Sequence, residues 1–146
     1  MKLTTKGRYG LRFMMELAMR HGNGPVQVAE AAASQRISGK YVHNLVGNLK
    51  QAGLIVATRG PHGGCVLARE PAKITALEIV EALEGPLDPV ACVGDEGSCD
   101  RSGACAAREL WVRLAASMRR TLQASSLQQL AERQRACSGG GGHFEI

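Results

Sequence analysis

The stretch of this sequence that most limits its fold runs from Ser38 to Ala68. Val42, Leu45, Val46 and Leu49 recur at i, i+3, i+4 and i+7, the apolar stripe of a buried helix face. Ser38 precedes the stripe as a natural N-cap, and Ala52-Gly53 ends it. Leu54 to Thr58 and Cys65 to Ala68 then read as two short strands. Between them Arg59-Gly-Pro-His-Gly-Gly64 supplies the glycines and proline of a tight hairpin tip. A helix that runs straight into so short a hairpin must be covered by other elements, and those lie upstream.

A first helix is expected from about Thr5 to His21, with Gly10, Phe13, Met14, Leu17, Ala18 and His21 on one stripe and Gly22 as its stop. Lys6, Arg8, Arg12 and Arg20 fall off that stripe. After a His-Gly-Asn-Gly-Pro turn, Val26 to Ala33 reads as a short second helix with Val26, Ala29 and Ala33 inward, and Gln35 to Ile37 as a tight turn. Helix, short helix, turn, helix and hairpin make a winged helix-turn-helix, mainly α with a two-stranded wing.

The third helix has a polar face of Lys40, Tyr41, His43, Asn44, Gly47 and Asn48 that contains no acid. It combines donors and acceptors suited to base edges with small residues that allow close approach, as a recognition helix requires. Arg59 at the wing tip is placed for a narrow minor groove. Charge agrees with this. Residues 1–70 carry ten Lys/Arg against three acids, whereas residues 71–146 carry eight against ten.

Beyond Pro71, Thr75 and Glu78 form a capping box opening a helix to about Glu84, with Leu77, Val80 and Leu83 on its buried side. Pro86 to Ala104 reads as a loop. From Ala106 to Gln123 a long helix carries a seam of Leu110, Trp111, Leu114, Ala115, Met118 and Leu122, and a second copy of the chain is its simplest partner. Ser126 and Gln129 cap a short helix through Arg135. The tail from Ser138, with four consecutive glycines, is expected to be disordered. The expected division is a DNA-binding head over 1–70, a connecting helix over 71–85, a cysteine loop over 86–105, a dimerisation helix with a short C-terminal helix over 106–137, and a tail over 138–146. Aromatic residues make up only 3% of the chain, so its core must rest on aliphatic side chains, which suits packed helices.

No run of eighteen apolar residues occurs and no apolar stretch follows Lys6, so a cytoplasmic protein without a membrane span is expected. There the five cysteines should stay reduced unless they hold a metal or act in redox chemistry. Cys92, Cys99 and Cys105 are separated by six and five residues in a loop too polar to form a core. Thiolates suit an iron–sulfur cluster, zinc or copper(I), and a zinc site would normally show close Cys-x-x-Cys pairs. Thiol redox sensing and unliganded cysteines are the other readings. Cys65 reads as core and Cys137 as incidental. An enzyme is disfavoured, since no glycine-rich phosphate loop and no Ser/His/Asp set is present.

Leu3-Thr4-Thr5-Lys6-Gly7-Arg8-Tyr9-Gly10, Ile37-Ser38 with Tyr41, Gly53-Leu54-Ile55, and Arg59-Gly60-Pro61-His62-Gly63-Gly64 with Leu67 together resemble the IscR/NsrR/CymR family of bacterial regulators over about residues 1–125. The cysteine loop leading into Leu110-Trp111 is most similar to the cluster-binding IscR branch. The resemblance implies a homodimer on a pseudo-palindromic site in double-stranded DNA. Ser38, Lys40, Tyr41, His43 and Asn44 would lie on the reading surface and Arg59 in the minor groove. Cys92, Cys99 and Cys105 would be the ligands of an iron–sulfur cluster, [2Fe–2S] favoured over [4Fe–4S]. Three departures stand out: the first cysteine gap is one residue longer than in the nearest pattern, Cys65 replaces a wing aromatic, and Arg108 occupies the place of the histidine that serves as fourth ligand. A guanidinium has no lone pair to offer, so the fourth ligand is open, with Glu109, Glu16, His21, a small thiol or water as candidates. A cluster-free regulator using thiol, other-metal or protein-partner sensing is the alternative.

Overall fold

The computed structural model describes residues 3–139. The chain forms helix α1 (Thr5–Met19), α2 (Val28–Ser34), α3 (Gly39–Gln51), strands β1 (Ile55–Thr58) and β2 (Gly64–Leu67), then α4 (Ala76–Glu84), a one-turn α5 (Ala91–Gly94), α6 (Ala106–Gln123) and α7 (Leu127–Gly139). The strands are antiparallel, pairing Ile55 with Leu67 and Thr58 with Gly64, so residues 59–63 form the wing tip. This is the mainly α winged helix-turn-helix expected from the sequence. None of the described helices is long and apolar enough to cross a membrane.

Local chemistry accounts for the boundaries. Ser38 caps α3 by accepting from the Tyr41 amide, and Gly53 ends it at a φ of 73°, a conformation that a β-carbon disfavours. The α4 capping box is complete: the Glu78 amide donates to Thr75 Oγ1 at 3.2 Å, and the Thr75 amide donates to Glu78 Oε2 at 2.9 Å. Ser126 and Gln129 exchange the same two bonds at the entrance to α7.

The second helix differs from its sequence reading. It starts at Val28, and Ala31 and Ala32 are its buried residues, whereas Ala29 and Ala33 are exposed. Val26 is buried as expected, but in a bridge to Cys65, exchanging backbone hydrogen bonds at 2.9 and 2.8 Å. That pairing uses Val26 as an extra strand residue and shifts the helical phase by two.

The core gathers Phe13, Met14 and Leu17 of α1, Val42, Leu45 and Leu49 of α3, Ile79 and Leu83 of α4, and Leu127 and Ala131 of α7. Thus α7 packs back on α1, and Arg135 donates to the Met19 carbonyl at 2.8 Å. It also continues to Gly139, two residues into the segment read as a disordered tail, because nothing before the glycine run breaks it. The rest of that tail lies outside the described residues. The expected loop from Pro86 to Ala104 is not featureless: α5 and two single 3₁₀ turns, Glu96–Ser98 and Ser102–Ala104, fold it.

Candidate DNA interface and cysteine segment

The α3 stripe buries Val42, Leu45 and Leu49 and so turns Lys40, His43, Asn44 and Gly47 to solvent. Ser38 is exposed with its oxygen accepting from the Tyr41 amide, which leaves the hydroxyl proton free to donate. Tyr41 is half-buried. Its ring meets Tyr9 of α1 edge-on, with centroids 5.9 Å apart and planes at 82°. Burial raises the Tyr41 pKa, and the negative charge of Glu84 adds to the rise. Arg59 stands exposed at the wing beside Gly60, whose φ is 104°. Lys40, His43 and Asn44, at i, i+3 and i+4, thus share the solvent side of α3, with Ser38 exposed at its cap, Tyr41 half-buried beside Lys40 and Arg59 exposed at the wing.

Two groups escaped the sequence reading. Arg8 and Arg12 lie 6.0 and 5.3 Å from the centroid of the Tyr9 ring, so α1 adds cations beside the start of α3. Arginines at i and i+4 flanking an aromatic were the available signal. The second is Glu84, which bonds to the first turn of α1 across some eighty positions and leaves no local signature.

Cys65 is buried, and burial pushes its thiol pKa up, consistent with a core role. Cys137 is exposed on α7. Cys92 and Cys105 are half-buried and Cys99 is exposed; all three are free thiols. As a donor set they suit a sulfur-ligated metal centre. Their placement does not: among the described residues no three His, Cys, Asp or Glu side chains are gathered closely enough to hold a metal ion. Arg108 braces the segment, its Nε donating to the Cys92 carbonyl and its Nη2 to Glu96 Oε1, both at 3.0 Å. Arg119 holds the start of the segment through Asp88 at 3.2 Å and reaches Glu81 at 3.6 Å. The proposed fourth ligands differ in availability. Glu16 is buried and already bonded to Arg20 and Gln35, His21 lies 3.5 Å from Glu70, and Glu109 is exposed.

A helix-turn-helix with an acid-free exposed recognition face, followed by a two-stranded wing, defines a winged-helix regulator of transcription rather than an enzyme. The chain belongs to the Rrf2 family, whose model, described as an iron-dependent transcriptional regulator, matches residues 3–133. It is 43% identical over 131 residues to the HTH-type transcriptional regulator CymR of Bacillus subtilis, covering 90% of each chain. The solved structure of CymR, the global cysteine regulator of B. subtilis, superposes with a TM-score of 0.77 at 41% identity, covering 91% of this chain and 98% of that one. An IscR from T. potens gives a TM-score of 0.78 at 29% identity, covering 100% of this chain and 97% of its own.

Proposed function

We propose that this regulator acts in the bacterial cytoplasm as a homodimer on a pseudo-palindromic site in double-stranded DNA, its affinity set by the segment that carries Cys92, Cys99 and Cys105. The observation that carries the reading is the exposed, acid-free face of α3, followed by a two-stranded wing that bears an exposed Arg59. Lys40 and the Ser38 hydroxyl engage phosphates, His43 and Asn44 reach base edges, and Tyr41 sits at the margin of the groove, backed by Tyr9. Arg59 enters the minor groove. Leu110 and Leu114 remain exposed on α6, and a second copy covers them, setting two recognition helices one helical turn of DNA apart. The head over residues 1–70, the connecting helix over 71–85, the cysteine segment over 86–105 and the assembly arm from 106 divide these tasks.

Cys92, Cys99 and Cys105 would have to draw together from their dispersed positions to hold an iron–sulfur cluster, [2Fe–2S] favoured, which when bound would supply sensitivity to iron supply, oxygen or nitric oxide. The similarity to IscR and the iron-dependent family description support this. A second reading, thiol or partner sensing without a cluster, is favoured by the dispersed thiols, by the Arg108 contacts and by the similarity to a cysteine regulator.

Anaerobic purification followed by iron and sulfide analysis, absorbance and Mössbauer spectra separates the two readings. Promoter binding with and without the bound iron then tests the switch. Protein lacking iron and sulfide, with Cys92→Ala leaving promoter binding and its response unchanged, would remove the cluster and leave the second reading. Absence of salt-dependent DNA binding would remove both.

A further inference from the structure

Glu84 is the last residue of α4, and Gly85, at a φ of 79°, turns the chain from it toward Pro86 and the cysteines. The Glu84 side chain reaches the first turn of α1. Its Oε1 accepts from the Thr4 amide at 2.8 Å, the Thr4 hydroxyl at 2.6 Å and the Gly7 amide at 3.0 Å. A helix leaves its first N–H groups without internal partners, and a carboxylate suits the positive end of its dipole. Burial alone would raise the Glu84 pKa, but the bonds from Thr4 and Gly7 and the nearby Lys6 outweigh it and hold the carboxyl below its ordinary value.

The seat is shaped for this contact. A β-carbon on Gly7 would stand 2.8 Å from Glu84 Oε1, and one on Gly10 would collide with Leu83 Cδ1. Alanine favours a helix over glycine, so glycine stands at both positions against helix propensity, where α4 approaches closely. From this seat the path to the reading surface is short. Tyr9, two residues after Gly7, packs edge-on against Tyr41 in the first turn of α3. At its other end the path continues through Asp88, held by Arg119, to the Cys92 turn, held by Arg108.

We propose that Glu84 is a positioning residue for DNA reading, tying the segment that carries the cysteines to the first turn of the recognition helix through Thr4, Gly7 and the Tyr9–Tyr41 pair. The proposal rests on α3 being the reading helix. Base contacts tolerate displacements of only about half an ångström, so a shift of α4 transmitted to Tyr41 alters reading without unfolding the head.

The chain has two tyrosines, and they are this pair, so ring resonances of tyrosine-labelled full-length protein report on it alone. Arg108→Ala loosens the cysteine segment at a remote point. It is expected to shift the tyrosine resonances in the parent and in Glu84→Gln, which keeps an acceptor oxygen. In Glu84→Ala, which has none, and in Gly7→Ala, whose new methyl drives the carboxylate from its seat, the same change should leave the resonances still. Specificity for promoter over random DNA should fall about tenfold in these two variants, the size of one lost base contact, with Glu84→Gln near the parent. Random-DNA affinity should not fall, because neither change removes a phosphate-binding cation.

An Arg108→Ala response undiminished in Glu84→Ala, or missing in the parent, overturns the coupling. So does a Glu84→Ala specificity ratio equal to the parent's. If Glu84→Ala does not fold, Gly7→Ala carries the same comparisons. A parent that fails to bind promoter DNA while its tyrosines respond through Glu84 overturns the reading of α3, and with it the purpose assigned to Glu84.

Discussion

Gln35 donates from Nε2 to Glu16 Oε2 at 2.8 Å, joining the turn that precedes the recognition helix to the last turn of α1. Glu16 is the buried charged residue among those described, at 5% exposure, and Arg20 Nε donates to its other oxygen at 2.9 Å. Arg12 completes the arrangement by bonding to the Gln35 side chain at 3.2 Å and to its backbone carbonyl. The next residue, Arg36, adopts a φ of 56°, a left-handed conformation that needs such fixing outside glycine. Glu16→Ala strands the Gln35 donor near the core, whereas the half-exposed Arg20 keeps its bond to Glu30. The expected cost is about 2 kcal/mol in urea unfolding, with Glu16→Gln costing less because one acceptor survives. Promoter affinity should fall further than this loss of stability accounts for, since the turn aims α3.

Acid should weaken the fold through two carboxylates. Burial opposes ionisation of both Glu78 and Glu84, but the Thr75 bonds and Arg69 for Glu78, and the α1 bonds for Glu84, leave each pKa lowered. A carboxyl whose folded pKa is depressed contributes stability that is complete above its unfolded value and is lost as pH falls through the folded one. The loss should therefore begin near the ordinary glutamate value of about 4.3 and continue below it. Urea midpoints between pH 6 and pH 3 check this. Glu78→Gln combined with Glu84→Gln should flatten the decline, and an unchanged slope would count against both sites.

Contacts on the reading surface should separate by what they touch. Lys40→Ala should weaken promoter and random DNA alike and reduce the salt slope by about one unit, as expected for one phosphate. Asn44→Ala should leave the slope intact and cost about 1–3 kcal/mol on the promoter alone. Arg59→Ala should lose discrimination at the base steps facing the wing while leaving major-groove preferences in place. Titrations of one promoter and one random duplex across a salt series read all three.

Legibility in the sequence followed the range of the interactions. The α3 stripe with its Ser38 cap and the Thr75–Glu78 box were readable because each is fixed by residues within four positions, and α6 was readable from its regular apolar spacing. The phase of α2 was not, because Val26 is held by Cys65, thirty-nine residues on. The Glu84 seat and the Glu16–Gln35 bond were hidden for the same reason: periodicity reports which face is buried, not which distant polar group meets it. The polar face of α3 was legible from its lack of acids and Arg59 from its place at the wing tip, whereas Ser38 joined the candidate DNA residues only through the family resemblance, and the packing of Tyr41 on Tyr9 left no trace in the sequence. The cysteine spacing was plain, while the hold of Arg108 on the Cys92 turn was readable only as a missing ligand.

The α6 seam gives the last prediction. Six residues were read as one apolar stripe, and the structure divides them. Ala115 is buried and Trp111, Met118 and Leu122 are half-buried on the side where α4 and α5 pack, while Leu110 and Leu114 stay 53% and 43% exposed one turn apart. Two exposed leucines on a helix whose other flank is already satisfied do nothing for the fold of one chain. Half of each side chain is still to be covered, so burial against a second copy would contribute about 1 kcal/mol for each. Leu110→Asp with Leu114→Asp should therefore leave helix content unchanged by circular dichroism and give monomers in sedimentation. Such monomers should bind a single half-site about as the parent's head does, yet lose about a hundredfold on the full site, because a second tethered head no longer supplies its effective concentration. A double variant that still sediments as a dimer would assign the assembly to another face.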